Sequence, residues 1–384
     1  MRILVLGADG YLGWPTMLYF AKLGHEVIGV DNYSKRRLCQ QLSCMPAQVG
    51  RYRLNDREIF IKDYGFNIKT YDIDCAIIQQ LENVIKLHKP DVIVHYAEQP
   101  SAPYSMRGYG EARYTLENNL GTTLALIHAT KKLVPNVHII KLGTMGEYGT
   151  PNWPISEGWL KMENPAASLK QNFLYPMSPS SLYHVTKVQD THMLWFYSKM
   201  WGLTVTDIMQ GPVYGLQLEG FDDSPIFEAN FHYDDIFGTV VNRFIAQAIL
   251  GIPLTIYGKG GQTRGYLNIN DTMQSIELLI NNPPKDGEFR IVNQFTELFS
   301  INQIAKMVIE AAEEVGIKAT AQHLPNPRIE QEQHYYNVEH KILEDLGLKS
   351  RPLSKEFLKA ILLRLKNGKY TFNKNIVMPQ VSWR

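Results

Sequence analysis

The 384-residue sequence predicts an α/β protein: a doubly wound parallel sheet followed by a smaller C-terminal α/β domain for a substrate. Three observations carry that expectation. Strand and helix patterns alternate through the first half, which implies parallel strands joined by helical crossovers. A glycine-rich turn, Gly7-Ala8-Asp9-Gly10-Tyr11-Leu12-Gly13, joins the first predicted strand to the first predicted helix. Tyr183 and Lys187 stand four apart in a predicted helix, and so project from one face.

In order along the chain, Ile3 to Leu6 reads as a buried strand, residues 11–23 as a helix, and Glu26 to Val30 as a strand closed by Asp31. Residues 37–66 keep no steady period and read as an insertion. A strand ending near Ile73, a helix over 77–88, a strand from Asp91 to His95, a helix over 112–133 and a strand from Val137 to Leu142 complete the alternation. Beyond about residue 210 the pattern turns to loops with helices expected over 240–251, 271–281, 301–315 and 339–347. We therefore expect a nucleotide-binding domain over 1–209 and a mainly substrate-binding domain over 210–384, interleaved with it.

Composition narrows the function classes. Hydrophobic residues are 45% and charged residues 20%, ordinary for a globular enzyme. A net charge of +1 argues against a general nucleic-acid or membrane-surface role, so any anion site must be local. Cys39, Cys44 and Cys75 are too few and too irregular for a disulfide framework or a zinc site, and no metal is expected. With no signal-peptide pattern and no long apolar run, a cytoplasmic enzyme is expected.

Gly7, Gly10 and Gly13 sit where missing side chains let the backbone approach a pyrophosphate at a helix N-terminus, with Asp9, Tyr11 and Leu12 beside it. This is the nucleotide loop of a Rossmann-type fold. Asp31, 18 positions after Gly13, can accept both adenosine ribose hydroxyls, which favours NAD over NADP. Lys35, Arg36 and Arg37, after Asn32, could instead serve a 2′-phosphate or pack on adenine. Asp72 and Ile73 are placed to meet the adenine, and Tyr96, Ala97 and Glu98 should approach the cofactor's centre. Asn119 is a site residue or a structural asparagine.

Lys187 beside Tyr183 stabilises a phenolate, so the tyrosine can exchange a proton nearer neutral pH than its ordinary value of about 10 allows. Thr144, at the end of the fifth strand, would hold the reacting oxygen opposite Tyr183. Up to this point the chain resembles an extended short-chain dehydrogenase/reductase acting on nucleotide sugars, with Thr144, Tyr183 and Lys187 as its triad.

Four further blocks narrow the resemblance: Glu98 to Ser105, Lys141 to Gly149, Tyr257 to Gly265 and His334 to Asn337. Together with the closing Val381-Ser382-Trp383-Arg384 they are similar to the UDP-sulfoquinovose synthase family over essentially the whole chain. The resemblance implies tightly held NAD and the conversion of UDP-glucose and sulfite to UDP-sulfoquinovose, the sulfite coming free or from a donor protein. It also implies a homodimer or higher homo-oligomer through the helix bearing Tyr183.

A 4,6-dehydratase carries an Asp-Glu pair directly after the threonine, but this chain has Met145-Gly146. The acid that expels the C6 hydroxyl is therefore sought elsewhere, with His184 first and Glu147 second. Gln210 and Val213 should line the nicotinamide and sugar, while Ser101, Tyr104, Thr255, Tyr257 and Gln262 are substrate candidates. Arg264 and Arg328 are the candidates for the UDP phosphates, since guanidinium matches phosphate geometry. Plant members have arginine where Pro100 stands, which puts contacts there in doubt. The competing readings are a UDP-hexose 4-epimerase, a 4,6-dehydratase and a non-catalytic NAD-sensing regulator.

Overall fold

The computed structural model describes residues 1–47, 52–167, 169–326 and 335–378. Its centre is a seven-stranded sheet of β1 (Arg2–Leu6), β2 (Glu26–Asp31), β3 (Ile68–Asp72), β4 (Val92–His95), β5 (His138–Leu142), β6 (Thr204–Gln210) and β7 (Phe289–Gln294). The strands are all parallel, in the spatial order β7-β6-β5-β4-β1-β2-β3. This is the expected Rossmann-type arrangement. Strand order reverses between β1 and β4, so the loops leaving those two strands part and open a crevice at their C-terminal ends.

The middle strands are nearly unbroken apolar runs because helices cover both sheet faces. Ile3, Leu4, Val5 and Leu6 are all fully buried. Three helices matter most for the crevice: α1 (Gly13–Lys22), α2 (Tyr109–Leu133) and α3 (Leu182–Trp201). Ser181 caps α3 by accepting from the His184 amide at 3.2 Å, which fixes where Tyr183 enters the first turn.

The segment read as an insertion at 37–66 forms much of the β2–β3 crossover. It holds the helices Ser34–Gln41 and Leu54–Ile61, and Ala47 bridges to Phe231 in the second half. Helices at Val240–Leu250, Ile269–Asn281, Ile301–Glu314 and Lys341–Asp345 answer the expected four. The helix Lys355–Asn367 and the antiparallel hairpin of Trp159–Asn164 with Leu169–Leu174 were not anticipated. Nor was β7, which returns from the second half to complete the main sheet.

The second half braces the nucleotide loop directly. The Trp14 indole donates to the Ile226 carbonyl at 2.7 Å, the Tyr11 hydroxyl to the Gly215 carbonyl at 2.6 Å, and the Asn230 amide to the Asp9 carbonyl at 2.6 Å. No described helix is long and apolar enough to cross a membrane.

Between β5, β6 and α3 lies a buried ionic layer. The Lys141 ammonium is 3.1 Å from Asp207, 3.4 Å from Glu147 and 2.9 Å from the Thr191 hydroxyl, and both ion-pairing partners are fully buried. Removing one partner of such a pair leaves a buried charge uncompensated, at a cost of about 3–5 kcal/mol. Lys141→Met should therefore lower stability by roughly 3 kcal/mol or more, read as a fall in the denaturation midpoint. An unchanged midpoint would show that the layer does not hold α3 on the sheet.

Candidate active site

The crevice deepens into a cavity of about 600 Å³ between the strand ends and the second half. The nucleotide loop forms one end. Gly7 has φ +81°, and a Cβ there would meet the Tyr96 carbonyl group at less than 3.0 Å. A Cβ on Gly13 would strike the Gly7 carbonyl, and one on Gly10, which lines the cavity, would crowd the same oxygen at 3.1 Å. This is a cradle only glycine leaves open. Asp9, Tyr11, Leu12, Asn32, Ile73, Tyr96, Ala97 and Glu98 line the same end.

Asp31 lines it too, its carboxylate accepting from the Asp9 amide at 2.9 Å and the Tyr33 amide at 2.7 Å. Burial, with Asp9 close by, pushes its carboxyl up to about 7. The neighbouring basic residues are occupied. Arg36 pairs with Asp9 and donates to the Tyr52 carbonyl; Arg37 donates to the Asn32 carbonyl at 2.6 Å. Neither lines the cavity, so their candidacy as cofactor contacts is not matched by their position. Lys35 does line it, with its ammonium 5.1 Å from the Phe237 ring centre. The set fits a dinucleotide whose ribose hydroxyls meet Asp31.

Two more cofactor candidates face away. Asp72 points outward at the end of β3, leaving Ile73, Asp74 and Cys75 on the cavity wall. Asn119 is fully buried: it accepts from the Gln99 amide at 2.8 Å and donates to the Thr186 hydroxyl at 3.0 Å, pinning the β4 loop to α3. Asn118 and Thr122, four apart on the other face of α2, line the cavity instead.

At the reacting centre Thr144, Tyr183 and His184 line the cavity together, with Met145, Gly146, Gly149 and Ser180 around them. Thr144 starts a short turn in which its hydroxyl accepts from the Gly146 amide at 3.1 Å. The His184 imidazole contacts the Ser181 hydroxyl through Nδ1 at 3.0 Å and lies over Gly146. A Cβ on Gly146 would come closer than 3.0 Å to His184 Nε2. The imidazole thus stands in the space that any side chain at position 146 would need.

Glu147 does not reach the cavity. It is fully buried, its carboxylate accepting from the Thr144 amide at 3.1 Å and the Thr191 hydroxyl at 2.9 Å beside Lys141. Its position corrects the expectation that it could protonate a leaving group. It is a strut that sets the Thr144 turn. Lys187 is buried behind Tyr183, its ammonium paired with Glu98. The Tyr183 phenol is raised above its ordinary value, first by burial and then by Glu98.

At the other end Thr255, Tyr257, Gln262 and Arg264 line the cavity as expected, with Gln210, Val213 and Ser101 nearer the centre. The buried Gln262 Oε1 has no hydrogen-bond partner, an acceptor left for a ligand. Tyr104 sits behind the wall, stacked 6.4 Å from Phe237, and does not line the cavity. Arg328 and His334 lie outside the described residues. Sequence reasoning missed Arg243: only 7% exposed, it lines the cavity with its guanidinium 5.2 Å from the Tyr257 ring centre and no hydrogen-bond partner for Nε. No group of described His, Cys, Asp and Glu side chains could hold a metal ion.

A model of the NAD dependent epimerase/dehydratase family matches residues 3–293. The chain is 44% identical to UDP-sulfoquinovose synthase of Sulfolobus acidocaldarius, over 100% of this chain and 98% of that protein. It is 42% identical to the chloroplastic UDP-sulfoquinovose synthase of Spinacia oleracea, over 100% of this chain and 79% of that one. Among solved structures, UDP-glucose 4-epimerase from Bifidobacterium longum in complex with NAD+ and UDP superimposes with a TM-score of 0.71, covering 96% of this chain and 98% of that one at 19% identity. At that identity the likeness is one of fold.

Because the Asp31 carboxyl is pushed up to about 7, it gains its proton as pH falls through that value. A protonated Asp31 accepts fewer hydroxyl donors. NAD affinity of cofactor-stripped protein, measured calorimetrically, should therefore weaken as pH drops through about 7. In Asp31→Asn it should be weaker at high pH and nearly flat. An affinity independent of pH in the unaltered protein would contradict the role given to Asp31.

Proposed function

The chain belongs to the NAD-dependent epimerase/dehydratase family, in its UDP-sulfoquinovose synthase branch, and from that premise we propose that it converts UDP-glucose and sulfite to UDP-sulfoquinovose and water. The cofactor is NAD, which Gly7, Gly10, Gly13 and Asp31 would hold; when bound, it would supply a reversible hydride acceptor for C4 of the hexose. The chain's own groups handle protons and orientation. Thr144 and Tyr183 hold the C4 oxygen, and Tyr183 takes its proton in the first step and gives it back in the last.

Oxidation at C4 acidifies the C5 proton. The C5 proton leaves to solvent as His184 protonates the C6 hydroxyl, which departs as water and leaves a C5–C6 alkene conjugated to the C4 ketone. The sulfur lone pair of sulfite adds at C6 and a proton returns to C5. Arg243 and Arg264 are assigned to the diphosphate, and Gln262 to the uridine side. Leu124, Phe196 and Met200 are exposed on α2 and α3, which supports a homodimer through these helices.

The observation that carries this reading is the imidazole of His184 packed over Gly146. A glutamate at 146 would need that volume, so with His184 in this orientation the imidazole occupies the place of the second member of the dehydratase acid pair. Neither a 4-epimerase nor an NAD-sensing regulator has a use for a proton donor there.

Incubation with UDP-glucose and isotopically labelled sulfite, followed by mass analysis of the sugar nucleotide, tests the activity. Sulfonated UDP-hexose is the expected product, and UDP-galactose alone would replace this reading with epimerisation. Tyr183→Phe should abolish turnover while binding UDP-glucose normally; substantial residual turnover would show that another base starts the reaction. His184→Ala should still reduce bound NAD when UDP-glucose is added, seen in nicotinamide absorbance. Its sulfonation should fall by about 10²-fold or more, whereas near-normal sulfonation would make His184 structural.

A further inference from the structure

Lys187 is 2% exposed, and its ammonium is held by Glu98, whose side chain is 5% exposed. Glu98 belongs to the loop after β4 and lines the cavity, so this ion pair joins the wall of the site to the residue behind Tyr183. Its other oxygen, Oε1, has no hydrogen-bond partner and lies 3.6 Å from His95 Nε2. Desolvation holds His95 well below its ordinary value, so it is neutral and supplies no competing cation. The carboxylate therefore has one strong partner, Lys187.

Charged and titratable groups face the Tyr183–Lys187 pair from every element packed against it. They are His95 and Glu98 from β4 and its loop, Lys141 and Glu147 from β5 and the turn after it, and His184 and Asp190 from α3 itself, with Asp207 of β6 paired to Lys141 behind them. From α2 come the neutral Thr123 and Asn119. Asp190, one turn beyond Lys187, is fully buried; desolvation and then Glu98 push its carboxyl up, favouring its neutral form. That leaves Glu98 as the anion in direct contact with the lysine. A lysine lowers the acidity constant of a nearby phenol only to the extent that its own charge is not cancelled.

We propose that Glu98 is a positioning residue for the reaction: by pairing with Lys187 it withholds the ammonium from Tyr183 and so governs when the phenol gives up its proton. The reaction needs this restraint because the same phenol must accept a proton at the start and surrender it at the end. A freely available ammonium would stabilise the phenolate, and so would oppose the first transfer and favour the second. The inference rests on Tyr183 and Lys187 being the acid–base pair of the proposed function.

The test is the ionisation of Tyr183 in intact protein, read as tyrosinate difference absorbance against Tyr183→Phe in each background. In Glu98→Gln, Tyr183 should ionise about one pH unit or more below its value in the unaltered protein. Ionisation at the same or a higher pH would overturn the proposal. In the Lys187→Met background, where no ammonium can be released, the same Glu98→Gln substitution should move the phenol less than half as far. An equal movement there would show a direct effect of the carboxylate and overturn the route through Lys187.

Glu98→Asp withdraws the charge by one methylene and serves if the glutamine variant fails to fold. A smaller shift in the same direction is expected, and none would count against the proposal. The measurement uses neither UDP-glucose nor sulfite, so its failure is distinguishable from failure of the proposed activity.

Discussion

The site depends on a layer of buried charge between the sheet and α3. Lys141 gathers Glu147, Asp207 and Thr191, and each partner fixes something beyond itself. Glu147 holds the Thr144 amide, so the turn bearing the Thr144 hydroxyl takes its place from the ammonium beneath it. Thr191 ties the same cluster to the helix bearing Tyr183, Lys187 and His184. An apolar layer of equal volume would often be as stable or more so. It would not set the direction of a turn, because hydrogen bonds are directional and apolar contacts are not.

On top of that layer the chemistry is divided by position. The first half presents the nucleotide cradle, while loops near 215 and 230 from the second half brace it from outside. The second half also supplies Arg243, Arg264 and Gln262 at the far end of the cavity. At the junction the His184 imidazole fills the space beside Gly146 where a side chain would stand. Behind Tyr183, the buried Lys187 ammonium is paired with Glu98 on the cavity wall.

The first half was legible because its signals are local. Alternating apolar runs, a glycine turn and an acidic residue closing β2 each follow from neighbouring residues, and so does the Tyr/Lys spacing. What sequence reasoning missed is set by long-range geometry. Asn118 and Asn119 are adjacent, and only the packing of α2 decides that the first faces the cavity and the second the core. Glu147 follows Thr144 closely enough to look like an acid, yet its carboxylate is captured by Lys141 and Thr191. Arg243 lies in a helix that reads as apolar packing, and its role appears only when Tyr257 is found beneath it. β7 lies more than 70 residues beyond β6 in the chain, and only long-range pairing returns it to the sheet.

The central claim is that the hexose is oxidised at C4, sulfonated at C6 and reduced again without leaving the cavity. UDP-glucose carrying deuterium at C4 tests it directly when incubated with sulfite in ordinary water. The sulfonated product should retain the label at C4, because the hydride that leaves is the one that returns. Sulfonated product that has lost the label, or unsulfonated hexose as the sole product, would contradict the account.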